Sequence, residues 1–252
     1  LQSSMNEELN VPFCVLKIDS FTKIPEKLVE FARENEIDIV WFNNELEWDE
    51  VQRDSQVEKT LSKSNIMCRR FDDQCIVKPG LVLTKESRPY SVFTPFKNTW
   101  AAHLESNPVK LETDPVKQSK FDFKSSKIDE LFADLPVELK YQQNLESISA
   151  MWPAGELEAQ ARLDDFAQFR MRNYKESRDF PNLDKGTSVL SPYLALGVIS
   201  ARTCFVRAKT ENHGKLLTGN EGICVWISEL CWRDFYRHIL NHFPRVARGK
   251  PF

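Results

Sequence analysis

"GTSVLSPYLALGVIS", residues 186–200, decides how the second half of this chain is read. Within six residues it offers Gly186, Thr187, Ser188 and Ser191, and it then sets Pro192 at the head of an apolar run. Ser-Pro is a helix start: a serine N-cap accepts from an early backbone N–H, and proline in the first turn gives up an N–H that the helix does not use. A cap needs only one hydroxyl. The remainder make a donor-rich turn facing the positive end of a helix, an arrangement suited to a phosphate or pyrophosphate. An ordinary cap and a phosphate turn both stand at this point.

Around that start, helical patterning dominates from Pro153 onward. Helices are expected over about 155–172, 192–196, 201–210 and 222–241, the opening of an all-α domain over 151–252. The first third reads differently. "VPFCVLKI" (Val11–Ile18) and "IDIVWF" (Ile37–Phe42) are short β-rich runs, and the helix between them carries Leu28, Val29, Phe31 and Ala32. These form a βαβ pattern, continued by a helix over Trp48–Leu61 and a strand at "IMCRRF", residues 66–71. Residues 1–104 are therefore expected to be part of a parallel α/β domain. No G-x-G-x-x-G follows any strand. Residues 105–150, rich in proline and scattered charge, read as an interdomain linker.

The 252 residues carry 41% hydrophobic and 28% charged side chains, enough for globular cores. No apolar run approaches the roughly 18–20 residues of a membrane span, so the chain reads as soluble and intracellular. Such a protein would occupy the cytoplasm of a bacterium, or the nucleus or mitochondrion of a eukaryote. The chain opens at Leu1 in mid-pattern and closes on "RGKPF", as a fragment lacking both ends would. Net charge is −3, but its distribution is uneven. From Met151 there are 15 Lys/Arg against 11 Asp/Glu, and before it 19 against 26, leaving the second half positive. The six cysteines form no C-x-x-C pair and read as thiols of a reducing compartment. No metal-ligand set or Ser-His-Asp arrangement is evident.

"WISELCWRDFYRH", Trp226–His238, is the second informative stretch. On a helix, Trp226, Glu229, Arg233 and then Tyr236 or Arg237 share a side. Glu229 and Arg233 are spaced for a surface ion pair, and an aromatic helix is commonly core. The same residues also offer rings for a flat ligand and guanidinium groups for phosphates.

Taken in order, "FNNELEWDEVQRD" (Phe42–Asp54), "YSVFTPFKNTW" (Tyr90–Trp100), "RDFPNLDKGTSVLSPYLALGVISAR" (Arg178–Arg202) and "VWISELCWRDFYRHILNHFP" (Val225–Pro244) resemble the DNA photolyase and cryptochrome family. The class I cyclobutane pyrimidine dimer photolyases are the most similar branch. The resemblance implies an α/β antenna domain followed by the start of an all-α FAD-binding domain. It implies that Thr187, Ser188, Val189, Leu190 and Ser191 wrap the FAD diphosphate, with Tyr174 and Trp226 on the same cofactor. It directs Arg178, Glu229, Trp232, Arg233 and Tyr236 at DNA and its lesion. Asp49, Glu50 and Arg248 match positions that hold a reduced folate antenna, methenyltetrahydrofolate. The family commonly has Asn-Glu where Asp49-Glu50 stand and lysine where Arg248 stands, and lysine and arginine are not equivalent donors. The implied activity is light-driven splitting of pyrimidine dimers in DNA by a monomeric flavoenzyme, with a cryptochrome-type light receptor as the alternative. The flavin is the reactive group, and no catalytic side chain is expected within these residues.

Overall fold

The computed structural model describes residues 4–120 and 145–251. Much of the expected linker therefore lies outside the described residues. Two compact units are formed, one from Ile18–Lys110 with Gln160–Phe252, the other from Leu1–Lys17 with Leu111–Ala159. No helix among the described residues is long and apolar enough to cross a membrane.

The larger unit opens with α1 (Ile24–Glu34), in which Pro25 occupies the first turn and the Ser20 hydroxyl accepts from Thr22 N–H just upstream. Strand β1 (Ile39–Asn43) follows, then α2 (Trp48–Lys63) and β2 (Met67–Phe71). The two strands are parallel, Ile39 opposite Met67, so β1–α2–β2 is the crossover unit. Val40, Phe42 and Cys68 point to one face, where they pack on Val29, Val57, Leu61 and Ile66. Trp41, Met67 and Phe71 on the other face are exposed.

The parallel sheet is thus present, but the strand expected at Val11–Ile18 is not. Those residues make no ladder among the described residues; Val11 N–H bonds to Met5 O within a local turn. A β-rich run becomes a strand only when it runs in ladder register beside another strand, and among the described residues the sheet holds β1 and β2 alone.

Helix α3 (Phe93–Ser106) leads out of this layer. The other unit contributes α4 (Leu145–Met151). The expected helix over 155–172 forms as α5 (Glu156–Asp165), a π-type turn at Phe166–Arg170 and a 3₁₀ turn at Met171–Asn173, continuing into α6 (Tyr174–Ser177). Three more helices follow: α7 (Ser191–Ala195), α8 (Ala201–Glu211) and α9 (Glu221–His242). The last two are capped by Ser200, accepting from Thr203 N–H, and Asn220, accepting from Ile223 N–H. Gly222 sits where α9 crosses Met171–Asn173, and a Cβ there would run into the Arg172 carbonyl.

Helices α3, α8 and α9 share a core in which Trp100 meets Phe205 edge-on at 5.5 Å and Phe96 meets Phe235 at 5.1 Å. Through this core runs a polar clasp. The buried Asp234 carboxylate accepts from Ile76 N–H (3.1 Å), Val77 N–H (3.0 Å) and Trp100 Nε1 (3.0 Å). One turn on, His238 Nε2 lies 2.9 Å from Val77 O. The loop after β2 is thereby fixed to α9, which carries most of the residues singled out in the sequence. Cys75, Cys204 and Cys231 are buried around the clasp, and burial pushes their thiols up.

Candidate functional site

The hydroxyl-rich turn is shaped by two non-glycine residues in the left-handed region, Lys185 (φ 60°) and Val189 (φ 55°). For β-branched Val189 that conformation is strained. It also displaces the expected cap. The chain is already curled at Leu190, which takes the N-cap position with φ −97° and ψ −6°, so α7 begins at Ser191 and no side chain caps it. Ser191 stays exposed.

The turn's acceptors and donors are treated differently. Arg170 Nη1 donates to the carbonyls of Lys185 (2.9 Å) and Thr187 (2.6 Å), and Ser177 Oγ donates to that of Gly186 (2.7 Å). Among the described residues, the N–H groups of Thr187, Ser188, Val189 and Leu190 and the hydroxyls of Thr187, Ser188 and Ser191 have no intramolecular partner. This is a donor-rich surface. It fits a diphosphate, which accepts and cannot donate when ionised.

Beside it, Tyr174 meets Phe166 edge-on at 5.8 Å, and Phe166 lies 5.3 Å from Trp226. Both expected cofactor rings are buried, Trp226 at 4% exposure. Burial pushes the Tyr174 hydroxyl up despite the Arg178 guanidinium 5.4 Å above its ring. Arg178 Nη1 donates to Glu229 Oε1 at 2.5 Å, and that bond holds the guanidinium above its usual range. The i,i+4 pair Glu229–Arg233 open in the sequence does not form: Glu229 turns to α6, and Arg233 donates to Gln74 O. Burial pushes the Arg233 guanidinium down, with Arg237 adding to the effect.

Trp232 also has a partner. Phe93 lies flat on its ring, centroids 3.5 Å apart and planes within 7°, and Tyr236 stacks at 5.5 Å. Tyr236 itself is 59% exposed. Tyr174, Arg178, Glu229 and Trp226 therefore gather around α6, while Arg233 faces the loop after β2. The residues expected to hold an antenna lie elsewhere. Asp49 and Glu50 open α2, and the Arg248 guanidinium sits 4.8 Å over the ring of Trp48 immediately before them. Among the described residues no group of three or more His, Cys, Asp or Glu is placed to hold a metal.

Sequence reasoning missed Arg170, Ser177, Phe93, Phe166 and Asp234. Arg170 acts across 15 and 17 residues and Asp234 across 134 to 158, distances at which no local pattern carries a signal.

The described residues thus combine a parallel β–α–β layer leading into helices with a donor-rich turn beside an aromatic and ion-paired helix face. Residues 2–117 match the DNA photolyase family. The chain is 34% identical to a deoxyribodipyrimidine photo-lyase of Neurospora crassa over 98% of its own length and 42% of that protein's. It is 35% identical to one of Vibrio cholerae over 97% of its length and 50% of the other. A class III photolyase structure from Agrobacterium tumefaciens superposes with a TM-score of 0.76 at 27% identity, covering 97% of this chain and 48% of that one. The chain is thus similar to DNA photolyases along nearly its whole length, and its residues 2–117 carry the match to the family. It spans about half the length of the curated relatives it matches.

Proposed function

We propose that this chain is the antenna-to-flavin half of an enzyme that repairs cyclobutane pyrimidine dimers in DNA with light. The observation that carries the reading is the turn at 187–191, whose four backbone N–H groups and three hydroxyls are free while its neighbouring carbonyls are bound. FAD, when bound, supplies the electron that splits the dimer. Thr187, Ser188, Val189, Leu190 and Ser191 hold its diphosphate, and Tyr174 and Trp226 wall its pocket.

The Arg178–Glu229 pair presents one carboxylate and one guanidinium to a base extruded from the duplex, a displacement that is cheapest where pairing is already damaged. Trp232 and Tyr236 offer ring surface to the lesion, and Arg233 holds the helix bearing them against Gln74. The positive second half tracks phosphates. Asp49, Glu50 and Arg248 would hold a reduced folate, which would supply absorbed light energy. In this arrangement 1–104 is the antenna domain, 105–150 the linker and 151–252 the start of the FAD domain, in a monomeric intracellular enzyme.

The test is light-dependent dimer splitting by the whole protein reconstituted with FAD. Repair that needs both light and reduced flavin supports the reading; flavin binding without repair supports a cryptochrome-type receptor instead. The 252-residue chain alone is expected to bind FAD weakly and repair nothing, because the remaining half of the relatives' length is available to enclose the flavin rings. Tight stoichiometric binding by the chain alone contradicts that division of labour.

A further inference from the structure

We infer that Arg170 and Ser177 are positioning residues that aim the diphosphate turn, a role that rests on the reading of 187–191 given above. In a trans peptide the C=O of one residue and the N–H of the next point in opposite directions across one rigid plane. Ser177 Oγ draws the Gly186 carbonyl inward at 2.7 Å, so the Thr187 N–H on the same plane faces outward. Arg170 Nη1 draws the Thr187 carbonyl inward at 2.6 Å and thereby turns out the Ser188 N–H. The same nitrogen holds the Lys185 carbonyl at 2.9 Å, so three successive carbonyls are withdrawn from the surface an anion would approach.

Gly186 allows this close approach. A Cβ there would stand 3.1 Å from Ser177 O and 3.2 Å from Leu183 O, and its own N–H is used by Leu183 O. The strained φ of Val189 also needs support from its surroundings, and the Arg170 bonds lie two residues before it.

Arg170 works by geometry rather than by charge. Asp165 Oδ2 accepts from its Nε (3.1 Å) and Nη2 (2.7 Å), which neutralises the guanidinium, and the ring of Phe166 lies 5.3 Å beneath it. The fork thus serves a carboxylate on one edge and two carbonyls on the other. A lysine ammonium at the same place is a point donor and cannot span both.

The experiment is a titration of the isotope-labelled 252-residue chain with inorganic pyrophosphate, followed through its backbone amide resonances, for the wild type, Arg170→Ala, Arg170→Lys, Ser177→Ala and the double variant Ser188→Ala, Ser191→Ala. In the wild type, the Thr187 and Ser188 amides are expected to shift. Arg170→Ala should weaken pyrophosphate binding about tenfold or more while the rest of the spectrum is retained, as expected for donors lost to a charged ligand. Arg170→Lys should recover part of that loss, and Ser177→Ala should diminish the shift at Thr187 most. A purely structural role would lower the unfolding midpoint of these variants and leave the pyrophosphate affinity of the folded protein unchanged.

If Arg170→Ala binds within about twofold of the wild type while the double serine variant weakens, the brace is overturned and the turn survives. A wild-type chain with no pyrophosphate-dependent shift overturns the turn and the brace together. Should Arg170→Ala fail to fold, Ser177→Ala decides: a diminished Thr187 shift supports the brace and an unchanged one overturns it.

Discussion

Helix α9 and the turn before α7 were both singled out by residue type, yet the fold treats them in opposite ways. On α9 nearly every polar or aromatic group of interest is already engaged: Trp226 with Phe166, Glu229 with Arg178, Trp232 with Phe93, Arg233 with Gln74. At 187–190 the backbone donors are unengaged, while the carbonyls of Lys185, Gly186 and Thr187 are tied down. If both bind a ligand as proposed, the helix must exchange partners to do so, whereas the turn needs no such exchange. The difference also predicts that substitutions on α9 act first on stability, and substitutions in the turn act first on ligand.

The largest effect is expected at Asp234. Asp234→Ala strands the N–H groups of Ile76, Val77 and Trp100 in a dry core, and should cost about 3–5 kcal/mol in urea denaturation. A loss below about 1 kcal/mol would mean that the clasp is not what holds α9 to the loop after β2.

The clasp has a pH signature. Burial, outweighing the N–H bonds, lifts the Asp234 carboxyl to about 6 from an ordinary 3.8. Between those values the folded chain holds a proton that the unfolded chain has released, so this group's stabilisation is full below pH 3.8 and is lost as pH rises towards 6. His238 runs the other way. Burial holds it at about 4 against 6.5, with the neighbouring His242 adding to the effect, so its contribution is full above pH 6.5 and is lost as pH falls towards 4. The two slopes oppose one another. Relative to wild type, Asp234→Asn should steepen the loss of stability on acidification from pH 6 to 4, and His238→Gln should reverse it. Denaturation midpoints measured across that window check the signs, and equal slopes in both variants would contradict the assignment.

A smaller loss is expected for Trp232→Ala, about 2–3 kcal/mol from the emptied stack on Phe93. In the whole protein the same variant should weaken dimer-containing DNA in preference to intact DNA, whereas Arg178→Ala should weaken both and flatten the salt dependence. Binding curves at several salt concentrations separate the two; identical profiles would show that the roles are confused.

The contrast also explains what the sequence could carry. Helices α1, α2, α5, α7, α8 and α9 and the strands β1 and β2 were legible because their hydrophobic periods are local, whereas α3 and α4 were not foreseen, and the turn was legible because glycine, hydroxyls and proline crowd into six residues. Val11–Ile18 was misread because composition says that a run can be a strand and not whether another strand lies in ladder register beside it. Ser191 was misread as the cap because Val189 enters the left-handed region and curls the chain one residue early. On α9 the sequence gives spacing, while the actual partners Arg178, Phe93 and Gln74 come from elements 50 to 160 residues away.

The smallest effect on stability should come from the turn itself. Ser188→Ala with Ser191→Ala should shift unfolding by no more than about 0.5 kcal/mol, because neither hydroxyl has a partner to lose. In the whole protein the pair should nevertheless reduce FAD retention through gel filtration, each lost donor to a charged oxygen being worth about 1.5–3 kcal/mol of binding. Unaltered flavin stoichiometry would remove the two hydroxyls from the site.

The most direct measurement is amide hydrogen exchange at Thr187, Ser188, Val189 and Leu190 in the whole protein, with and without FAD. If these N–H groups hold the diphosphate, they should exchange quickly in the apoprotein and become protected on binding, while the Arg172–Gly222 crossing remains equally slow in both. Protection that appears on α9 and leaves 187–190 unchanged would contradict the account.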